Sequence, residues 1–207
     1  MQHEVEIYES LEQGTDEWKQ LRAGVITASR ASRLVTSKGE RSKAGFDDLV
    51  AELTAETITG ELTDFHVNDA MKRGTELEPQ ARSAFGLFSN YNVEQVGFIK
   101  IKDRAVGCSP DGIIKETKHL LEVKCPQPKK QIKVLRDAKL PTEYKAQTQM
   151  QLYVCNAEKL QFISYHPKSE ALMVTVERDD VFLHCLKNLL DEANNTINEL
   201  TEKLRRK

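Results

Sequence analysis

Between Cys108 and Pro126 the chain reads CSPDGIIKETKHLLEVKCP, with Asp111 after a proline, then Glu122 and Lys124 separated by one residue. On a strand, residues two apart share a face, so Glu122 and Lys124 point together while Leu121 and Val123 point into apolar surroundings. If DGIIK pairs with LLEVK as a hairpin, the Asp111 carboxylate arrives beside Glu122. Two carboxylates that close repel unless a cation joins them, and oxygen ligands of this kind suit Mg2+ or Mn2+. A bound ion of that type polarises a phosphate, supplies a hydroxide-like water and stabilises a leaving oxygen. Lys124 would orient that water, or accept its proton if the site lowered its pKa. The chemistry that fits is phosphodiester hydrolysis without a protein nucleophile. The plainer alternative is a surface hairpin with a Glu122–Lys124 salt bridge, since such spacings arise by chance.

The elements that must position these groups follow from periodicity. VEQVGFIKI, AVGCS, DGIIKE and HLLEVKC read as strands with turn residues between them. Upstream, DEWKQLR reads as a short helix, and Thr27 or Ser29 is a possible cap for a second through ASRASRLV. Phe46, Leu49, Val50, Leu53 and Ile58 recur at helical spacing, and NDAMKRGTELEPQARSAFGLF reads as a helix that Pro79 should bend or restart. Downstream come helices over Gln127 to Lys139 and Thr142 to Asn156, strands LQFISYH and ALMVTVER, and a long helix from about Asp180. This order predicts an α/β fold, a central mixed β-sheet flanked by helices. The polar stretch TSKGERSKAG, Thr36 to Gly45, is expected to be a mobile loop.

Composition narrows the function classes. A chain of 207 residues can bury a full core, so residues 1–207 are expected to form a single domain. No apolar run of about 18 residues is present, which argues against a membrane role. The acidic start MQHEVEIYES lacks the pattern of a signal peptide, so a cytoplasmic setting is expected. Cys108, Cys125, Cys155 and Cys185 form no C-x-x-C pair, and the five histidines fall at no ligand spacing, which disfavours zinc and iron–sulfur sites and leaves buried free thiols as the expectation. With a formal net charge of -2, any hold on nucleic acid must come from local positive charge. Lys129, Lys130, Lys133, Arg136 and Lys139, just after the Glu122 strand, could form such a track or simply a solvated helix face.

Five segments, GTDEWKQLRAGVITASR, RGTELEPQAR, CSPDG, LEVKCP and YKAQTQMQLYV, occur in that order. Together they resemble the lambda-type phage exonucleases of the PD-(D/E)xK nuclease superfamily, from about Asp16 to Arg178. The resemblance implies a restriction-endonuclease-like core and a Mg2+-dependent 5' to 3' exodeoxyribonuclease. Such an enzyme processively digests one strand of double-stranded DNA from 5'-phosphorylated ends, releasing mononucleotides and leaving 3' overhangs for single-strand annealing recombination.

By the same resemblance, Asp111 and Glu122 are metal ligands joined by the main-chain carbonyl of Val123, and Lys124 is the catalytic lysine. Glu78 contributes to a second metal site, giving two Mg2+ per active site with Mn2+ as a possible substitute; Glu76 is the nearby ambiguity. Arg22, Ser29, Ser109 and Gln147 match the pocket for the 5' phosphate, with Gln151, on the same helix face as Gln147, a weaker second. Read alone, Glu78 is an exposed partner of Arg82, Arg22 a solvated arginine, Ser29 a helix cap and Trp18 a core residue. The resemblance further implies a homotrimer ring around DNA, a single-strand annealing protein as partner, and a phage or prophage origin in a bacterial host. Two other expectations stand beside it: a structure-selective endonuclease with the same metal site, and a non-catalytic module that binds DNA ends.

Overall fold

The computed structural model describes residues 3–63 and 69–205, with the backbone alone for 69–71. Its strands sort into two mixed sheets. The first runs β1 (Val5–Tyr8), β4 (Phe98–Ile101), β5 (Val106–Cys108), β2 (Ile26–Thr27), with only β2 and β5 parallel. The second runs β3 (Val93–Glu94), β6 (Gly112–Ile114), β7 (Leu120–Lys124), β8 (Lys159–Ser164), β9 (Leu172–Glu177), with only β7 and β8 parallel. The mixed α/β class expected from the sequence is therefore present, with its strands divided between two sheets.

VEQVGFIKI, which reads as one strand, is divided between these sheets at Gly97. Val93–Glu94 pairs with β6, whereas Phe98–Ile101 pairs with β1 and β5. A Cβ at Gly97 would stand 1.9 Å from the Leu11 carbonyl oxygen, so only glycine lets the backbone pass there. Strand β1 was not among the expected elements, although Val5, Glu6 and Ile7 alternate in polarity as a half-exposed edge strand does.

Helix α1 (Asp16–Arg22) begins where the Thr15 hydroxyl accepts the Trp18 backbone N–H at 3.3 Å. Neither Thr27 nor Ser29 caps a helix; their hydroxyls lie 3.1 Å apart and bond to each other, while a 3-10 turn leads into the short α2 (Ala31–Leu34). Residues Thr36 to Gly45, expected to be mobile, fold into a bridged turn: Val35 pairs with Arg41, and the Thr36 N–H donates to Glu40 at 2.8 Å. Arg41 then stacks 3.9 Å over Phe46 at the start of α3 (Phe46–Thr59). Phe46, Leu49, Val50 and Leu53 face the core as their spacing predicts, but Ile58 is 39% exposed.

Helix α4 (Asp69–Ser89) runs on through Pro79 without restarting. Asn68, the first residue of that predicted helix, lies outside the described residues. Helix α5 (Pro128–Asp137) follows β7, and α6 (Lys145–Val154) is buried along nearly its whole length. Along α7 (Asp180–Leu204), Phe182, Leu183, Leu186, Leu190, Ala193 and Ile197 recur at spacings of three and four and are buried, with the helix packed against α2, α3 and α6. Asp179 caps it, accepting the Phe182 N–H at 3.0 Å. Cys108 and Cys125 are buried, while Cys155 and Cys185 are half-buried; all four are free thiols. Among the described residues, no helix is long and apolar enough to cross a membrane.

Candidate active site

The β6–β7 hairpin forms as the sequence suggested. Gly112 pairs with Leu121, and the Asp111 N–H donates to the Leu121 carbonyl at 3.0 Å, which brings Asp111 across from Glu122. The Asp111 carboxylate then accepts the Val123 N–H at 2.6 Å. Alternation along β7 does the rest: Leu121 and Val123 pack with Ala81 and Phe85 of α4, whereas Glu122 and Lys124 occupy the other face.

Glu122 is only 1% exposed and is fully engaged. Gln147 Nε2 donates to its Oε1 and Gln151 Nε2 to its Oε2, both at 2.6 Å, and Lys124 forms an ion pair with it. One helical turn separates the two glutamines, so α6 presents both amides to one carboxylate. Gln147, expected at the 5' phosphate, is thus placed on Glu122, and Gln151 joins it there.

The acids feel one another. Burial pushes the Asp111 carboxyl well above the usual carboxylate range, and the charges of Glu122 and Glu78 push it further. Glu78 is raised first by burial and then by Glu122, against the opposing pull of Arg82 and Lys124. Glu76 is exposed, so Glu78 is the one that faces the acids. It also pairs with Arg82, so the local reading of an i, i+4 pair and the site reading hold together. For Lys124, burial works to lower the pKa, but Glu122 and Asp111 outweigh it and the net shift is upward. A base role for Lys124 required a lowered pKa; here it stays an ammonium, suited to orienting a water and balancing charge.

These groups fit a divalent cation by their chemistry. Three carboxylates, two of them facing each other across one hairpin and the proton affinities of Asp111 and Glu78 raised, form an oxygen-rich locus that a hard cation would relieve. Among the described residues no three acidic, histidine or cysteine side chains are yet gathered closely enough to hold a metal ion; Glu78 pairs with Arg82, and Glu122 with Gln147, Gln151 and Lys124.

A second polar cluster lies on the first sheet. Arg22, at the end of α1, is 9% exposed and lies 3.8 Å over the Trp18 ring. Its Nη1 donates to Ser109 at 3.5 Å and its Nη2 to Ser29 at 3.4 Å, long bonds that leave much of the guanidinium's donor capacity available. Trp18 Nε1 donates to Gly97 O at 3.1 Å and to Ser109 at 3.0 Å, so Trp18 is the core residue expected and also the floor of this pocket. Burial, then the charge of Arg30, lowers the Arg22 pKa to about 10. Among the described residues no carboxylate forms an ion pair with Arg22, whereas Arg30 is clamped by Glu56 at 2.8 and 3.0 Å. A buried guanidinium stacked on tryptophan, beside the hydroxyls of Ser109 and the solvent-facing Ser29, offers donors of the kind that bind a phosphate.

A cavity of about 850 Å³ has Trp18 on one side and Glu78 and Arg82 on another, so it adjoins both clusters. Separately, Lys129, Lys130, Lys133 and Lys139 line a cleft of about 580 Å³ beside α5, in which Lys130 is paired with Glu143 at 2.8 Å. Sequence reading gave no role to Glu56 or Arg30, which lie 26 residues apart with no shared motif. Gln151 was visible through its spacing from Gln147, and Gly97 had no signal beyond being a glycine inside a strand pattern.

Comparison with known proteins follows the same lines. A family model described as the YqaJ-like viral recombinase domain matches residues 17–158. The crystal structure of an alkaline exonuclease from Laribacter hongkongensis superposes with a TM-score of 0.83 at 30% identity, covering 93% of this chain and 97% of that one. The same exonuclease in complex with dAMP gives a TM-score of 0.81 over the same shares of both chains. A phage-related exonuclease from Haemophilus somnus 129PT shares the fold, with a TM-score of 0.64 at 14% identity over 87% of this chain and 96% of that one. No curated protein sequence matches.

Proposed function

This chain belongs to the YqaJ-like viral recombinase family, has the nuclease fold of the alkaline exonucleases, and on that premise we propose that it is a Mg2+-dependent 5' to 3' exodeoxyribonuclease acting on linear double-stranded DNA. The observation that carries this reading is the pairing of two clusters: a buried Arg22 with no carboxylate partner among the described residues, and the acids Asp111, Glu122 and Glu78 with Lys124. An endonuclease has no need of a terminal phosphate pocket.

Asp111, Glu122, the Val123 carbonyl and Glu78 would hold two Mg2+, which when bound supply a polarised phosphate and an activated water. The chain's own groups do the rest. Arg22, Ser29 and Ser109 grip the 5' phosphate, which fixes the register of the strand so that the next phosphodiester meets the acids. Gln147 and Gln151 hold both oxygens of Glu122, and Lys124 orients the attacking water while balancing negative charge. Cleavage in that register releases one nucleotide at a time, a product class that agrees with dAMP as the ligand of the Laribacter enzyme. Repetition leaves a 3' overhang. A homotrimer ring enclosing the duplex would give processivity without high net charge, and a single-strand annealing protein would load on the overhang. The setting is the cytoplasm of a bacterial host carrying the phage or prophage.

The test is digestion of linear duplex DNA labelled at either end, 5'-phosphorylated or not, with Mg2+ or EDTA, beside a closed circle. Mononucleotides released first from the phosphorylated 5' label, with the circle intact, are expected. Nicking of the circle would replace this reading with an endonuclease, and absence of any Mg2+-dependent product would leave a module that binds DNA ends.

A further inference from the structure

Arg82 is a nearly buried side chain of α4 that touches three separate segments. Its Nη1 pairs with Glu78 one turn earlier and also donates to the main-chain oxygen of Asp111 at 3.3 Å. With its amide turned to present oxygen, Gln95, on the connection between β3 and β4, accepts from Nη2 at 2.7 Å and from Nη1 at 3.2 Å. A guanidinium is planar and its donors are fixed relative to one another, so acceptors on three segments leave it a single orientation. An exposed i, i+4 pair has no such anchoring. Arg82 therefore ties the Glu78 carboxylate to the backbone of the very residue that carries the neighbouring acid.

We propose that Arg82 is a positioning residue for the second metal ion: it holds one oxygen of Glu78, sets its distance from Asp111, and leaves the other oxygen for the ion. The inference rests on the nuclease reading above, with Glu78 as a metal ligand. Side chains that orient a ligand from outside the coordination shell change metal affinity by about 10–100-fold when removed. Charge alone does not explain the arrangement, since a lysine at this position would balance Glu78 without reaching Asp111 and Gln95 together.

Calorimetric titration of the metal-free protein with Mn2+ tests this without reference to activity. Two ions per wild-type chain are expected, with Arg82→Met weakening one of them about 10–100-fold and sparing the other. Arg82→Lys should not restore the lost affinity, which separates positioning from charge. If Arg82→Met does not fold by circular dichroism, Gln95→Leu decides: a smaller weakening of the same ion supports the role, and unchanged constants overturn it. A folded Arg82→Met chain with both constants intact also overturns it, while the nuclease reading stands if the digestion assay succeeds. A wild-type chain that binds fewer than two ions overturns it as well, and the digestion assay then shows whether the nuclease reading falls with it.

Discussion

Gln147 Nε2 donates to Glu122 Oε1 at 2.6 Å, so a side chain expected at the terminal phosphate restrains a carboxylate of the acidic cluster. Its loss should then be blind to the chemistry of the DNA end. Gln147→Ala is expected to lower kcat/KM on 5'-phosphorylated and 5'-hydroxyl ends by the same factor, roughly 10-fold for one hydrogen bond to a charged group. A loss confined to phosphorylated ends would return Gln147 to the phosphate pocket.

Arg22 makes the opposite prediction. Among the described residues its guanidinium makes two long bonds to hydroxyls, at 3.4 and 3.5 Å, and a terminal phosphate would complete it. Arg22→Ala should raise KM on phosphorylated ends by about 10–100-fold, the range for hydrogen bonds between charged groups, and change hydroxyl ends little. Equal losses on the two substrates would remove the pocket assignment.

The raised Asp111 pKa has a definite sign for stability. Because burial, then Glu122 and Glu78, raise it, the native state binds that proton more tightly than the unfolded chain does. Its contribution is therefore fully present below the unfolded value of about 3.9 and is lost as pH rises through the higher native value. Metal-free protein should lose Tm across that window. Asp111→Asn should flatten the slope, and saturating Mg2+ should stabilise most at the upper end. Thermal melts in EDTA and in Mg2+ check this, and an Asp111→Asn slope equal to wild type would contradict it.

Gly97 couples the fold to the pocket. A Cβ there would meet the Leu11 carbonyl oxygen at 1.9 Å, and its own carbonyl receives Ser109 at 2.7 Å and Trp18 at 3.1 Å. Gly97→Ala should cost about 1–3 kcal/mol in urea unfolding, the scale of overpacking. It should also reduce the preference for phosphorylated ends. Wild-type stability with unchanged preference would show that the backbone shifts freely.

Sedimentation or light scattering should report three chains per particle. A monomer that still digests long duplexes without dissociating would remove the ring as the source of processivity.

The hairpin chemistry was legible in the chain itself because a strand's two-residue period is local: Asp111, Glu122 and Lys124 lie within 14 residues, and backbone pairing alone brings them together. Helices α1, α3, α6 and α7 were readable for the same reason, since their apolar spacing and caps are set by residues a few positions apart. Motif order carried the family.

What only the tertiary structure decided were relations between segments far apart in sequence. Gln147 and Gln151 share a helix face by spacing, but which group they meet depends on how α6 packs against β7. Lys124 was open to either direction of pKa shift until the positions of Glu122 and Asp111 were fixed, because burial and paired charge act oppositely on an ammonium. VEQVGFIKI divides between two sheets at Gly97, where the backbone passes a carbonyl of Leu11, 86 residues earlier in the chain. Periodicity reports which side of an element is buried; it holds no information about which distant element lies against that side.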